Sequence, residues 1–430
     1  MNAKFLSIHV AWMATRVLLI TAVVAFAIAL TSAARAQTYQ VIHNFTNGLD
    51  GGLPYAGLTM DAAGDLYGTT PSGGIVSGQC APFGCGGVYK LKAVGSSFVI
   101  TPLHSFAGGS DGNTAQGRVA LGQDGSLFGT TVTGGGEGSC FYPGSGCGTV
   151  FQLKEPPSTP RSALFPWEEV VLYRFTGGND GGAPQGDIVF DQSGNLFGVT
   201  YQGGTTNNGV IYQLTPAGGG WAETVLYSAL NNGDGANPIF LALDRSDNLY
   251  GVFYNGGPNG FGAVFQVSHS SSGWTEQTLH GFTGGDDGKN PVSLIIDGSG
   301  NLYGLTYSGG NEGGGTVFKL TPGGGGRTFS TVYALGHEGE GCNPLNAPLV
   351  DGAGSLYATA SQCGEYNWGA VFKLSLNGGA RYTSLWDFTF GASDGNNPAS
   401  SLIFDAKSNL YGTAQFGGTY DRGVIFEISP

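Results

Sequence analysis

Seven acidic residues recur in one context: Asp50, Asp111, Asp180, Asp234, Asp287, Glu340 and Asp394. Each precedes a Gly, and in six of the seven a Pro follows four residues on, Ala115 taking its place in the second copy. A ring of hard oxygen ligands could bind Ca²⁺ or a cationic partner. The same pattern also serves a tight turn whose carboxylate accepts backbone N–H bonds. Repetition in every copy favours the turn, because an active site usually breaks symmetry. The segment "GGDDGKN" (Gly284 to Asn290) lacks the ligand spacing and closing Glu of an EF-hand. No other cofactor is expected.

Histidines are the next candidates for acid–base chemistry. His43, His104 and His280 share one position, which other copies fill with Tyr173, Tyr227, Tyr333 and Trp386. They read as packing aromatics. His269 falls in a hairpin turn, and only His337, beside Glu338 and Glu340, lies in a long loop. No nucleophile elbow, zincin motif, P-loop or dinucleotide fingerprint occurs, and no residue is assigned a catalytic role.

Aromatic residues break the symmetry. Tyr201, Tyr254 and Tyr307 follow one strand in three successive copies, where the others have Pro71, Val132, Ser361 and Gln415. Tyr366 and Trp368 lie in "CGEYNWG", and Phe141 and Tyr142 in the second copy. Aromatics on a rim suit stacking on a sugar or gripping a peptide. The three tyrosines could equally extend a core between repeats.

The elements that carry these residues are repeats. "DLYGTT" (Asp65 to Thr70) returns six times, with its aromatic at Tyr67, Phe128, Phe197, Tyr250, Tyr303, Tyr357 and Tyr411. Each copy reads as four short strands rich in β-branched and aromatic residues, joined by Gly-containing turns. In the third copy these are "DIVFD", "LFGVT", "VIYQL" and "WAETVLYSA". No segment has convincing helical periodicity. The fold class is therefore all-β: a seven-bladed β-propeller of four-stranded antiparallel blades, forming one domain over residues 37–430. The Gly after each strand-two aromatic is expected to let a neighbouring blade approach closely. The last copy lacks strand four, and "TYQVIHNF" (Thr38 to Phe45) matches it. The N-terminal strand is thus expected to complete the last blade and close the ring, removing an open edge. Connections after strands two and four then share one end of the ring, the loop face.

Residues 1–36 read as a signal peptide: Lys4 and Arg16, an apolar run from Val17 to Leu30, then "ARA". Three of the 17 basic residues lie there, leaving 14 against 30 acidic ones. That charge argues against nucleic acid and anionic membrane surfaces. No later stretch is apolar for long enough to span a bilayer. An exported chain keeps disulfides. Cys80, Cys85, Cys140, Cys147, Cys342 and Cys363 admit 15 pairings, of which 80–85, 140–147 and 342–363 join nearest neighbours. A Cys₄ zinc site from the first four is the alternative, without CxxC spacing to support it.

The repeat "GNLYG-T-x-x-GG … G-x-VFKLTP" resembles the GloVer tandem-repeat family of exported bacterial proteins, over all seven copies. The resemblance implies export, to periplasm, medium or cell surface, and a propeller-like repeat. It implies no activity and no catalytic residues. The expected function is a monomeric, non-catalytic scaffold that binds a glycan, peptide or protein on its loop face. An extracellular carbohydrate-active hydrolase or lyase, or a purely structural envelope protein, is the alternative.

Overall fold

A computed structural model describes residues 37–95, 97–156, 167–271, 273–392 and 394–430. The expected leader, 1–36, and most of the insertion between Lys154 and Trp167 lie outside them. Tyr39–Ser429 form one compact unit. Among the described residues there is no α-helix, and no helix is long and apolar enough to cross a membrane.

Seven four-stranded antiparallel sheets form the blades of a propeller, each with its strands in spatial order one to four. Blade 3 is typical: Gly182–Phe190, Leu196–Gln202, Val210–Ala217 and Gly220–Ser228. Strand one is innermost. It is eight or nine residues long in blades 3 to 5 but only two in blades 1, 2, 6 and 7. Blade 7 joins Ile403–Phe404, Leu410–Ala414 and Val424–Ser429 to Thr38–Asn44. The N-terminal strand does complete the last blade. Phe45 N–H donates to Gly423 O at 3.0 Å, and Gln40 donates to Glu427 at 2.7 Å.

Strand two is buried on both faces, as in "LYGTT" (Leu66–Thr70) and "LFGVT", because it lies between two blades. Its glycine has a different cause from the one the sequence suggested. A Cβ on Gly198 would lie 2.3 Å from the hydroxyl of Tyr212, its partner across the same sheet, and Gly251 meets Phe265 in the same way. The space is taken by the blade's own strand-three ring, not by a neighbouring blade. Those rings, including Tyr89, Phe151, Tyr212, Phe265, Phe318, Phe372 and Phe426, are almost wholly buried and form much of the core.

The hairpin from strand one to strand two is fixed by an aspartate. Asp191 accepts from Ser193 N–H at 2.8 Å and Asn195 N–H at 2.9 Å, with Gly194 at φ 81°. This is the Asx turn that "DQSGN" encodes. Three disulfides staple the loop face: Cys80–Cys85, Cys140–Cys147 and Cys342–Cys363. The four cysteines of the alternative zinc set are thus paired in disulfides.

Candidate functional site

The recurrent acids are committed to their own turns. Asp180 accepts from Thr176 N–H at 2.8 Å, Thr176 Oγ1 at 2.6 Å and the Tyr173 hydroxyl at 3.2 Å. Asp234 takes Leu230 N–H at 2.9 Å and the Tyr227 hydroxyl at 2.6 Å. Asp50 and Asp287 do the same with His43 and His280, each at 3.1 Å. Asp394 takes Thr389 N–H and Trp386 Nε1, and Glu340 takes the Tyr333 hydroxyl. Asp111 accepts from Ala107 N–H at 3.0 Å, with His104 3.6 Å away. One chemistry therefore explains two columns of the repeat: the strand-four aromatic is His, Tyr or Trp because its polar tip reaches the acid. Among the described residues no three His, Cys, Asp or Glu side chains are grouped to hold a metal. His337 faces Glu312 of blade 5 at 3.6 Å, while Glu340 turns to Tyr333.

Each blade is latched to the next just beyond its acid. Leu53, Thr114, Ala183, Asn237, Asn290, Asn343 and Asn397 all have left-handed φ, between 53° and 65°. Their N–H groups donate to the preceding blade's loop, at Arg422, Cys85, Cys147, Asn208, Phe261, Gly314 and Trp368. The latch from Arg422 O to Leu53 N, 2.7 Å, joins blade 7 to blade 1. Non-glycine residues rarely adopt this backbone conformation. The interblade bond holds it here, together with the following Pro in every copy but that of Thr114.

Three latch asparagines also place the tyrosines. Asn237 donates to Tyr201 O at 2.8 Å, Asn290 to Tyr254 O at 3.0 Å and Asn343 to Tyr307 O at 2.9 Å. The tyrosines lie half-buried around the mouth of the axial channel, and Tyr254 and Tyr307 also pack on the blade core. Tyr55, from the connection just before strand one of blade 1, joins them. Burial first, then the neighbouring Tyr254 and Tyr307, push its pKa up. Burial raises Tyr254 likewise, with Tyr307 and Tyr201 beside it. The phenols of Tyr55 and Tyr254 thus stay protonated, and phenols of this kind donate and accept hydrogen bonds and offer ring faces. Blade 6 sends Asn346 to the axis, where it meets Ala399 O and Tyr55 O.

Tyr366 and Trp368 do not join this group. They stand on the exposed rim, where Trp368 packs against Phe390 with ring centres 4.8 Å apart. The five aromatics read as one set in the sequence thus divide into a channel mouth and a rim. Phe83, Phe141, Tyr142, Phe261 and Tyr420 are exposed in the same loops. Among the described residues, all eight exposed large aromatics lie in connections of the loop face. Sequence reasoning missed Tyr55 and Phe390. Tyr55 had a signal, as the one ring in a column otherwise Gln116, Gln185, Ile239, Val292, Leu345 and Ala399.

Residues 145–340 and 269–430 match the Gloeobacter/Verrucomicrobia repeat. The chain belongs to that repeat family. No curated protein matches it in sequence. Among solved structures, this member of the Gloeobacter/Verrucomicrobia repeat family is similar to a streptogramin B lyase. The identity is 13%, the TM-score 0.55, and 91% of this chain and 97% of that one are covered. It is also similar to the extracellular domain of a hybrid two-component system from B. thetaiotaomicron, at 11% identity and TM-score 0.52. That match covers 92% of this chain but 41% of the other, so the repeat protein spans less than half of its length. At such identities the likeness is one of fold.

Proposed function

We propose that this protein is an exported, non-catalytic binding scaffold that takes a glycan across its loop face. The observation that carries the reading is the segregation of exposed aromatics to that face. Trp368, 40% exposed, and Phe390, 69% exposed, form the platform. Flat rings there would cover the apolar faces of sugar rings, with the loop backbone and the channel-mouth phenols supplying polar contacts. Export is supported by the leader-like start of the sequence and by three disulfides, which suit an oxidising compartment. The carboxylates, turned into their own loops, supply the frame.

A glycan array read with the purified protein is the experiment. Trp368→Ala and Phe390→Ala should each weaken the best glycan about tenfold or more, the scale of losing one stacked ring. Unchanged binding in both variants, or binding only to peptides, overturns the reading. Turnover of a bound polysaccharide overturns its non-catalytic part.

A further inference from the structure

At the opposite end of the ring, blades 2 and 3 leave a cleft of ≈ 420 Å³ between them. Its back wall is Phe128, the strand-two ring of blade 2. Phe190 of blade 3 meets that ring edge to face at 5.0 Å, and Trp221, at the start of strand four, does so at 6.4 Å. The floor is Gln152, the cross-strand partner of Phe128. Gln152 is only 8% exposed, yet its amide has no hydrogen-bond partner among the described residues. Neither polar atom of that amide is fully buried, so both open into the cleft, where water or a ligand can bond them.

A cation fills the equivalent place in blades 1, 4, 5 and 6, whereas blade 3 repeats the Phe–Gln pair as Phe197 and Gln213. Lys90, Lys319 and Lys373 lie 5.0–5.1 Å over the strand-two rings of blades 1, 5 and 6. Between blades 4 and 5, Arg327 covers Tyr250 at 4.9 Å and donates to its hydroxyl. In blade 2 the ring is Phe, without a hydroxyl, and the strand-three residue is Gln, without a charge. Nothing in the blade covers the ring as the cations do elsewhere. On the rim, Asp124 and Asp191 turn their oxygens to their own hairpins. Backbone and hydroxyl bonds from Ser126 outweigh burial and hold the Asp124 carboxyl below its usual range, with Lys154 nearby.

We propose that this cleft is a second ligand site, for an uncharged pyranose ring. The sugar's apolar face lies against Trp221 and Phe128, and its hydroxyls take both the donor and the acceptor of Gln152. The two rim carboxylates disfavour a uronic acid or phosphate. The site is independent of the loop face and stands or falls separately from it.

Protein labelled with 5-fluorotryptophan provides the test, read by ¹⁹F NMR. The Trp221 line is identified by its loss in Trp221→Phe and the Trp368 line by its loss in Trp368→Phe. The probes are the methyl glycosides of glucose, galactose and mannose, N-acetylglucosamine, and glucuronate. A single sugar ring should bind with a Kd of about a millimolar, given the per-atom ceiling on ligand affinity. At least one neutral probe should shift the Trp221 line saturably and leave the Trp368 line in place. Gln152→Leu should weaken it about tenfold, and glucuronate should bind more weakly. Trp221→Ala, read by saturation transfer to the sugar, gives the same answer if Gln152→Leu does not fold. No saturable shift with any neutral probe overturns the proposal, as does full binding in Gln152→Leu or glucuronate binding as tightly. A shift of the Trp368 line alone sinks the cleft and leaves the loop-face reading standing.

Discussion

Glu223 and Glu276, like Glu169 of blade 2, occupy a strand-four position that blades 5 and 7 use for stacking. There Tyr39 stacks on Trp386 at 4.1 Å and Phe329 on His280 at 3.7 Å. In blades 3 and 4 the acid instead faces the turn acid of the preceding blade. Burial, then Asp180, pushes Glu223 up to about 7; burial, then Asp234, does the same for Glu276, opposed by a bond from Thr278. A folded-state pKa near 7 lies above the ordinary 4.5, so the folded protein holds a proton the unfolded chain has lost. Their stabilising contribution is complete below pH 4.5 and disappears as pH rises through 7. Glu223→Gln and Glu276→Gln should therefore each raise stability at pH 8 by about 1–2 kcal/mol, after allowance for solvent screening. At pH 4.5 neither should change it appreciably. Urea unfolding at the two pH values measures the difference, and equal effects at both would sink the linkage. Nothing near Glu223 in the sequence announces this. The raising charge is contributed by another blade, and a four-residue offset within a strand carries no hint of what lies across the interface.

The connection from strand four to strand one was the most legible element. Its acid, Gly and Pro recur with near-fixed spacing, and in six copies the acid accepts a backbone N–H of its own turn, while Glu340, among the described residues, accepts only from the Tyr333 hydroxyl. Blade 4 ends in a direct comparison, because Asp286 and Asp287 are neighbours. Asp287 accepts from Thr283 N–H at 3.0 Å, Thr283 Oγ1 and His280 Nε2. Among the described residues, only the backbone carbonyl of Asp286 is engaged, by Thr331. Asp287→Ala should cost about 2 kcal/mol, the worth of charge-assisted bonds that leave donors unpaired. Asp286→Ala should cost less than about 0.5 kcal/mol, as surface changes do. Chemical denaturation of the two single variants decides it, and similar losses would mean that the carboxylate does not anchor the turn. The same element also shows where reading stops. The sequence displays Asn-Pro at 237, 290, 343 and 397, but not that the first three asparagines hold the preceding blade's tyrosine. That bond crosses between blades, and only the ring geometry brings its partners together. The strand-two glycine was misread for a related reason. The clashing ring lies across the sheet in the same blade, and spacing alone does not say which neighbour fills a gap.

The whole molecule is held by a repeated interface whose last instance is non-local. Six latches join blades that follow each other in the chain, and the seventh, from Leu53 N to Arg422 O, joins its two ends. Around it, Gln40 bonds Glu427, Thr413 Oγ1 bonds Ala56 O at 3.2 Å, and Phe98 meets Tyr411 at 6.4 Å. This seam uses the same contacts as its siblings, so it should be no weaker than they are. Continuity of the backbone at any particular hairpin between strands three and four should then be dispensable. A circular permutant checks this: residue 430 is joined to residue 38 by a short Gly/Ser linker, and the chain is opened between Gly218 and Gly219. Those two residues sit in an exposed hairpin turn, where a Cβ would meet nothing within 4 Å, and such sites tolerate new termini. The permutant should fold and melt within a few degrees of the parent, since only loop-closure entropy changes, by about 1 kcal/mol or less. Deleting residues 38–45 from the parent should do the opposite. It exposes the Val424–Ser429 edge and removes Phe45, which is wholly buried, so that variant should aggregate. A permutant that fails to fold, beside a deletion that stays soluble and cooperative, would place the stability of the ring in sequential stacking rather than in its closure.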